Sequence, residues 1–445
     1  MTDFVSTERF LSDSIALANS AKNKLLKHDR PVHDWYRFVL SYPPHLVREY
    51  IAKFELGPKD LLLDPFCGTG TTVVEAKMCH VPSIGLEANR YAHFAGSTKL
   101  RWNIEPESLV EAAQGIAERV TGRLKGQGVS AVPAEHIAVP HDLRRLSPEQ
   151  EAIILRDSIS PLPLHKCLVL LDEINRFRHT TFGDHLRLSF ANVLVFKISN
   201  LRFGPEVGVG RTRLDVAVVS EWLEEVERVA GDIEHLSGEK YPDSEVLLSD
   251  SRDATVRLKD KKVSAVITSP PYPNEKDYTR TTRLESVLLG FVTDRADLRE
   301  MKKTLLRSNT RGVYKDDNDD QFIDNIEDIQ KVAEQIEQRR KDLNKTSGFE
   351  RMYSRVTKLY FGGMARHLKE LSNSLTPGAQ LAYVVGDQAS FLRVMIRTGH
   401  LLGQVAESVG YELVAIEPFR TRFSTATKSD LNEEVVVLRW PRKSK

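Results

Sequence analysis

The chain has 445 residues, of which 41% are hydrophobic and 28% charged. This balance is typical of a globular protein and argues against a collagen-like, coiled-coil or wholly disordered chain. Lys and Arg number 63 against 62 for Asp and Glu, giving a formal net charge of +1. That excludes a histone-like polycation, but a nucleic-acid partner stays possible because local clustering of charge matters more than the total.

The first hundred residues predict alternating helices and short strands. Residues 1–30 have a polar helical pattern, and a second helix is expected over Pro44–Phe54 after a Pro-Pro pair. A short buried strand over Asp60–Asp64 precedes a glycine turn, a helix over Thr71–His80 and a second strand over Ser83–Glu87. This order is typical of a right-handed βαβ unit in a parallel sheet, so we predict an α/β fold.

Two long segments interrupt this alternation of strands and helices. Residues 105–244 predict a mostly helical insertion, and residues 298–352 a second insertion. Strand patterns lie between and after them, including a C-terminal antiparallel pair over Glu412–Glu417 and Glu434–Trp440. We therefore predict one fold that is interrupted twice. Its own parts would be residues 1–104, 245–297 and 353–445.

The glycine turn Asp-Pro-Phe-Cys-Gly-Thr-Gly follows the first predicted strand and opens a helix. Gly68 and Gly70 permit a tight turn that a ligand can approach closely. No Gly-Lys-Ser/Thr follows, which argues against a P-loop, and Val73 stands where the dinucleotide fingerprint needs a small residue. Glu87 ends the next strand, where a carboxylate can accept both ribose hydroxyls. The pattern favours a nucleoside-type cofactor over a purely structural turn.

The segment Thr-Ser-Pro-Pro-Tyr, residues 268–272, follows a predicted buried strand with the sequence VSAVI. By itself it could be a proline-stiffened loop. The prolines also hold backbone carbonyls at the carboxyl end of a parallel strand, where such sheets bind ligands. The hydroxyl of Ser269 and the carbonyl of Pro270 could accept the N–H groups of a nucleobase amine, and the ring of Tyr272 could stack on the base.

Together, DPFCGTGTT and the later TSPPY resemble the motifs of the amino-group DNA methyltransferases, which modify cytosine N4 or adenine N6. The resemblance covers roughly residues 31–104, 245–297 and 355–445. It implies a Rossmann-like class I methyltransferase sheet and S-adenosylmethionine as cofactor. The implied catalytic residues are Ser269, Pro270, Pro271 and Tyr272. The implied cofactor-binding residues are Tyr42, Asp64, Pro65, Phe66, Gly68, Gly70, Thr71, Thr72, Glu87, Asp250 and Ser251.

Within that family, Ser before Pro-Pro-Tyr favours cytosine N4, and adenine N6 remains an alternative. A cytosine-C5 enzyme would need a cysteine nucleophile, usually after proline, and the sequence contains no Pro-Cys. A tRNA guanine-N2 methyltransferase shares both motifs, but those enzymes usually carry Asp before Pro-Pro and a separate N-terminal RNA-binding domain. About thirty residues before the motifs would be too few for one. A non-catalytic binding module is disfavoured because cofactor and base motifs occur together.

Double-stranded DNA is the implied partner, and a cognate restriction endonuclease is a possible second one. Two basic stretches are candidate phosphate contacts, around Lys197–Arg213 and Arg299–Lys315, although each could be a solvated surface. The candidate nucleic-acid residues are Arg202, Arg211, Arg213, Tyr278, Arg280, Arg307 and Arg311. The acidic run at 316–320 is expected to be a solvated loop rather than a metal site.

Neither a membrane nor a metal is expected as a partner. The sequence has no long uncharged apolar stretch and no secretory pattern at its start. Its three cysteines lack CxxC spacing, and its histidines lack metal-ligand spacing. We expect a cytoplasmic protein, and the oligomeric state stays open.

Overall fold

The computed structural model describes residues 25–38, 41–133, 142–204, 206–424 and 428–442. Most of the helix predicted over residues 1–30 lies outside these ranges, and residues 27–29 form a single 3-10 turn. The strands are β1 (Leu62–Asp64), β2 (Ser83–Glu87), β3 (Leu201–Phe203), β4 (Val207–Val209), β5 (Ser244–Leu248), β6 (Val263–Thr268), β7 (Leu375–Gly386), β8 (Glu412–Ser424) and β9 (Ser429–Arg439).

The described helices alternate with these strands. The helices that precede β3 in the chain are α1 (Pro44–Lys53), α2 (Thr71–Met78), α3 (Arg90–Lys99), α4 (Pro106–Gly126), α5 (Pro148–Glu151), α6 (Pro161–Asn175) and α7 (Gly183–Val193). The later ones are α8 (Val218–Leu236), α9 (Ala254–Leu258), α10 (Tyr278–Thr281), α11 (Arg283–Leu288), α12 (Arg295–Lys303), α13 (Glu327–Asp342), α14 (Tyr353–Ser372) and α15 (Thr398–Ser408).

Seven strands form one sheet in the order β5-β2-β1-β6-β7-β9-β8. The first five are parallel to one another, and β9 is antiparallel to both of its neighbours. Apolar residues point to both faces of the sheet: Leu63 and Val266 belong to the core under α14 and α15, whereas Leu62 and Ala265 belong to the core under α1. This is the architecture expected of a doubly wound sheet, and the predicted α/β fold is confirmed.

The chain reverses its direction of travel through the sheet between β1 and β6. From β1 it moves outward to β2 and β5, and then returns to β6 on the other side of β1. In open α/β sheets, ligands bind beyond the carboxyl ends of the strands at this switch point. The two motifs singled out in the sequence follow β1 and β6, so the topology places both of them there.

The predicted C-terminal antiparallel pair is confirmed as β8 and β9, and both strands are longer than the sequence indicates.

The strand β7 is also longer than predicted, since it begins at Leu375, five residues before the predicted start at Gln380. The residues Thr-Pro-Gly at 376–378 hid this extension because proline and glycine normally end a strand pattern. The register between β6 and β7 shifts at this end, which accommodates the interruption.

Residues 105–244 contain helices α4 to α8, together with the small antiparallel hairpin β3–β4, which the sequence did not predict. Their hydrophobic core is continuous with side chains of the sheet region. Phe94 of α3 and Leu284 of α11 belong to the same buried cluster as Ile116 and Trp222 of the insertion. The insertion therefore packs onto the α/β fold through a shared core.

The second insertion packs on α14. The isoleucines at positions 323, 326, 329 and 336 are buried against this helix. The prediction that the acidic run at 316–320 is a solvated loop is wrong for two of its members. The Asp319 carboxylate accepts from Arg252 Nη1 at 2.6 Å, and the Asp317 carboxylate accepts from Arg307 Nε at 2.8 Å. Asp319 is buried and the side chain of Asp317 is largely enclosed, and each has a cationic partner that offsets its loss of hydration.

Gly362 in α14 allows the second insertion to approach closely. A Cβ atom at this position would lie 2.0 Å from the backbone oxygen of Asp319. We predict that Gly362→Ala lowers the free energy of unfolding by roughly 1–3 kcal/mol, the usual cost of overpacking. Urea denaturation followed by circular dichroism measures the change. Gly122→Ala in α4 is the matched control, because a Cβ there meets nothing within 4 Å. It should be neutral or stabilising by up to about 1 kcal/mol. Equal stability of Gly362→Ala and the wild type would contradict the close approach.

Candidate active site

A cavity of about 550 Å³ lies at the switch point between β1 and β6. The glycine turn after β1, the end of β2 and the loop after β6 all contribute to its walls. Predicted site residues that line it are Tyr42, Pro65, Phe66, Gly68, Thr71, Glu87, Ser251, Ser269, Pro270, Pro271 and Tyr272. Its volume is in the range of sites that bind small molecules and cofactors.

Asp64 joins the two motifs from beneath the cavity. Its fully buried carboxylate accepts from the Thr268 hydroxyl at 2.6 Å, the Thr72 hydroxyl at 2.5 Å and the backbone N–H of Phe66 at 3.0 Å. The Tyr42 hydroxyl contacts both Thr72 and Asp64. Burial raises the pKa of Asp64, whereas these hydrogen bonds favour its ionised form. The network fixes the glycine turn of β1 against the carboxyl end of β6.

Four residues predicted to contact a cofactor lie outside the cavity lining, and the structure gives them other tasks. Asp64 and Thr72 hold the walls through the network just described. Gly70 has φ 92°, which glycine adopts without strain, and a Cβ there would lie 3.2 Å from the Cα of Gly96 in α3. Its role is therefore a tight turn and close helix packing. A larger residue would first disturb that packing rather than block the cavity.

Asp250 is the fourth of these residues. Both of its carboxylate oxygens accept hydrogen bonds from the Arg252 guanidinium, at 2.7 to 3.1 Å. The same guanidinium reaches Asp319 of the second insertion. Asp250 thus takes part in a structural ion pair, and its contact with a cofactor stays a prediction, while its neighbours Ser249 and Ser251 line the cavity.

Glu87 lies in the cavity wall at the end of β2, where the sequence placed it. Its carboxylate accepts from the backbone N–H of Gly68 at 2.7 Å and from that of Asn89 at 2.6 Å. Burial raises the pKa of Glu87 to about 7. Each carboxylate oxygen has a second lone pair, so the group can still accept hydrogen bonds from a ligand's hydroxyls.

The Ser-Pro-Pro-Tyr loop presents acceptors to the cavity. The hydroxyl of Ser269 donates to the carbonyl oxygen of Val384 at 3.0 Å, so its proton is engaged and its oxygen keeps lone pairs with which it can accept. Pro270 and Pro271 have no backbone N–H, so they offer only carbonyl acceptors. The backbone N–H of Tyr272 donates to the Tyr278 hydroxyl at 3.3 Å. The loop is suited to bind a donor such as an amine.

The ring of Tyr272 has a fixed place beside this loop. It lies against Gly386 at the end of β7, where an added Cβ would be 3.0 Å from Cε2 of the ring. The ring also lies close to Glu433, whose carboxylate pairs with Arg420. Burial raises the pKa of Tyr272, so its phenol is neutral at physiological pH. A neutral aromatic face of this kind can stack on a planar base.

Sequence reasoning missed a large part of the cavity wall, which comes from the second insertion. Its lining residues are Thr304, Leu305, Leu306, Arg307, Ser308, Asn309 and Gly312. This segment docks on the stretch after Tyr272: the N–H of Asn274 donates to the carbonyl oxygen of Ser308 at 2.9 Å, and the amide of Asn309 donates to the carbonyl of Lys276 at 3.2 Å. No local pattern in the sequence predicts such a pairing.

Two buried amide side chains in the cavity, Asn274 and Gln388, were also missed. Asn274 follows the Ser-Pro-Pro-Tyr motif by two residues, so its proximity to the loop was the available signal. Gln388 follows β7 and carried no signal, because only the sheet order brings β7 beside β6.

The candidate nucleic-acid residues divide into two groups. The Arg307 side chain is buried in the cavity wall, and its guanidinium binds Asp317 and three backbone carbonyls, so the structure gives it no place on an outer surface. Tyr278 lines the cavity rather than an outer surface. Arg311 is exposed at the surface of the second insertion.

The remaining candidates surround the hairpin β3–β4. Arg202, Arg211 and Arg213 are exposed. Within the described part of the chain, neither Arg202 nor Arg211 has a side-chain hydrogen bond or ion pair. The hairpin is linked to the cavity region by an ion pair between Arg280 and Glu206, at 3.6 Å. Arg280 lies in the short helix α10 together with Tyr278, so the exposed arginines and the cavity are on neighbouring elements.

The described residues contain no helix long and apolar enough to cross a membrane, and no cluster of three or more metal-ligating side chains. The cysteines at 67, 79 and 167 are free thiols.

Comparisons with known proteins agree with the motifs. The family model described as a DNA methylase matches residues 15–95. The Type II methyltransferase M.BsoBI of Geobacillus stearothermophilus is 26% identical over 427 residues, which cover 88% of this chain and 81% of that protein. The Type II methyltransferase M.AvaI of Nostoc sp. is 22% identical over 431 residues, which cover 92% and 86%.

Among solved structures, TrmN from Thermus thermophilus aligns with 92% of this chain and 52% of its own. Its identity is 10% and its TM-score 0.29, a level of likeness from which nothing about this chain follows. The glycine turn, the Ser-Pro-Pro-Tyr loop, the matched family model and the relatives agree with one another: the chain is similar to DNA methyltransferases of the amino-group type.

Proposed function

We propose that this protein transfers a methyl group from S-adenosylmethionine to the N4 amine of a cytosine flipped out of double-stranded DNA, at a specific sequence. The observation that carries the proposal is a single cavity that contains both Glu87 with the glycine turn and the Ser-Pro-Pro-Tyr loop. The Type II methyltransferases that it resembles support a DNA substrate and a role in restriction–modification. A cognate restriction endonuclease is therefore the partner that we propose beside DNA.

The residues around the glycine turn fit S-adenosylmethionine. Glu87 would accept the ribose hydroxyls, since its carboxylate lies in the cavity wall and is already oriented by two backbone N–H groups. Phe66 and Tyr42 would lie along the rest of the cofactor. When bound, the cofactor supplies an electrophilic methyl group on a sulfonium.

The Ser-Pro-Pro-Tyr loop would prepare the amine of the target base. The lone pair of this amine is delocalised into the ring and is poorly nucleophilic. The Ser269 oxygen and the Pro270 carbonyl would accept its two N–H groups and favour a more tetrahedral nitrogen. The ring of Tyr272 would stack on the base and hold it in line with the methyl group.

Positioning and exclusion of water supply most of the rate gain in this scheme. The amine nitrogen would form the new bond to the methyl carbon as the bond between carbon and sulfur breaks. The methylated nitrogen would then lose one proton to solvent. No strong base is required, because the nitrogen becomes acidic once it is alkylated. No covalent bond between the protein and the base is required either.

Mass analysis of nucleosides tests the proposal. After incubation with S-adenosylmethionine and mixed-sequence double-stranded DNA, we expect N4-methylcytosine. N6-methyladenine would favour the second candidate within the family. Absence of methylated nucleosides in DNA, with methylation of tRNA instead, would contradict the DNA assignment.

The variant Tyr272→Ala tests the role of the aromatic ring. We expect it to lower the rate of methyl transfer at least a hundredfold, because the base loses its stacking surface, worth about 1–3 kcal/mol per base, and its alignment. The dissociation constant for S-adenosylmethionine, measured by calorimetry, should change less than about twofold. Tyr272→Phe keeps the ring and should retain most activity. A folded Tyr272→Ala protein that loses cofactor binding to the same extent would be inconsistent with these roles.

Cofactor affinity should depend on pH through Glu87. Burial raises the pKa of this carboxyl to about 7, and the ionised form is the better acceptor for ribose hydroxyls. The affinity should therefore be highest above pH 7 and fall as the pH drops, by up to about tenfold per unit. Calorimetry between about pH 5.5 and 8.5 measures this. Glu87→Gln should bind more weakly with a flatter profile. If the affinities of the wild type and Glu87→Gln changed with pH in the same way, the assignment of Glu87 to the ribose site would be contradicted.

The hairpin β3–β4 is our proposed phosphate contact. The double substitution Arg202→Ala, Arg211→Ala should weaken binding to double-stranded DNA at low salt. It should also reduce the slope of log affinity against log salt by roughly 1–2, the value for one or two lost phosphate contacts. Arg257→Ala, an exposed arginine on α9, is the control and should leave the slope unchanged. An unchanged slope in the double variant would place the DNA elsewhere.

A further inference from the structure

Two buried amide side chains flank the proposed methylation site. Asn274 is 3% exposed and Gln388 is 5% exposed, and both line the cavity. Gln388 follows Gly386, against which the ring of Tyr272 lies. The amide nitrogen of Asn274 donates to the amide oxygen of Gln388 at 3.4 Å. The two amides therefore form one polar patch beside the aromatic ring.

Backbone partners fix the orientation of both amides. The Asn274 side-chain oxygen accepts from the N–H of Lys276 at 2.9 Å, so its nitrogen is the end that faces Gln388. The Gln388 nitrogen donates to the carbonyl oxygen of Gly386 at 3.2 Å, so its oxygen is the end that accepts from Asn274. Neither amide can exchange its oxygen and nitrogen without placing two donors or two acceptors together.

In this arrangement, each of the two amide nitrogens can donate one further hydrogen bond. An amide nitrogen carries two hydrogens, and one on each side chain is engaged by the contacts just given. The second hydrogen of each has no partner within the described part of the chain. A buried polar group in that position needs a partner, because leaving it without one is costly. A ligand in the cavity that presents acceptors would satisfy both.

We propose that Asn274 and Gln388 recognise the acceptor edge of the flipped cytosine, N3 and O2. This inference rests on the proposed function and names the residues that select its base. In cytosine, both acceptors follow directly after the N4 amine that the Ser-Pro-Pro-Tyr loop would hold. In adenine, the amine is followed by N1 and then by an apolar C–H, so the second donor would lose its partner. Sites built to hydrogen-bond a substrate group discriminate strongly against analogues that lack it.

Variants give the first test, with mixed-sequence double-stranded DNA as substrate. Asn274→Ala and Gln388→Ala should each lower methyl transfer at least tenfold, while the dissociation constant for S-adenosylmethionine changes less than twofold. Gln388→Glu keeps the shape but replaces the donor with a carboxylate, and it should be at least as impaired. Gln330→Ala is the matched control: its amide also donates to a backbone carbonyl, at 2.9 Å from Ile323, but it does not line the cavity. It should retain wild-type activity.

A substrate analogue gives a test that needs no variant to fold. The methylated site is first located by sequencing the modified DNA, and the target is then replaced with 2-thiodeoxycytidine, whose sulfur is a weak acceptor. The wild type should lose at least tenfold in kcat/KM on this duplex, and Gln388→Ala and Asn274→Ala should lose less than the wild type does.

The outcomes separate the two proposals. Production of N4-methylcytosine with folded variants as active as the wild type would overturn the amide assignment alone. Production of N6-methyladenine would also overturn it, since adenine lacks the second acceptor. Absence of any DNA methylation by the wild type would overturn the proposed function and this inference together.

Discussion

One buried carboxylate organises the candidate active site. Asp64 is fully enclosed, and a carboxyl group without water needs hydrogen-bond partners from the protein. Its donors come from three parts of the chain: Tyr42, then Phe66 and Thr72 around the glycine turn, and Thr268 at the end of β6. Satisfying this one group therefore fixes the glycine turn against the strand that leads to the Ser-Pro-Pro-Tyr loop. The cavity lies between these two elements, so its shape depends on this network.

The sheet region could be predicted well from the sequence, because its signals are local. A short apolar run followed by a glycine turn and a helix has one common structural outcome, and β1, α2 and β2 match it. The position of Glu87 followed from the same unit. The extended β7 escaped prediction because Pro377 and Gly378 interrupt its pattern, and only pairing with β6 and β9 keeps this segment extended.

The parts that could not be predicted depend on which charged side chains pair with one another. Arg307 has the sequence appearance of a phosphate contact, yet Asp317 neutralises it in the interior. Asp250 has the position of a cofactor ligand, yet Arg252 engages both of its oxygens. In each case the sequence pattern did not reveal that the charged residue pairs with another side chain. Charge patterns show which groups need a partner but do not show where that partner lies.

The two walls of the cavity are held by different kinds of interaction. The wall with Glu87 belongs to the parallel sheet, where a shift in one strand would disturb the register of its neighbours. The opposite wall, residues 304–312, is a connecting segment that docks through a few hydrogen bonds, such as those between Asn274 and Ser308 and between Asn309 and Lys276. Connecting segments tolerate substitution and insertion far better than strands do. One half of the cavity is therefore part of the sheet, and the other half is a loop whose substitution would change the shape of the cavity without changing the register of the strands.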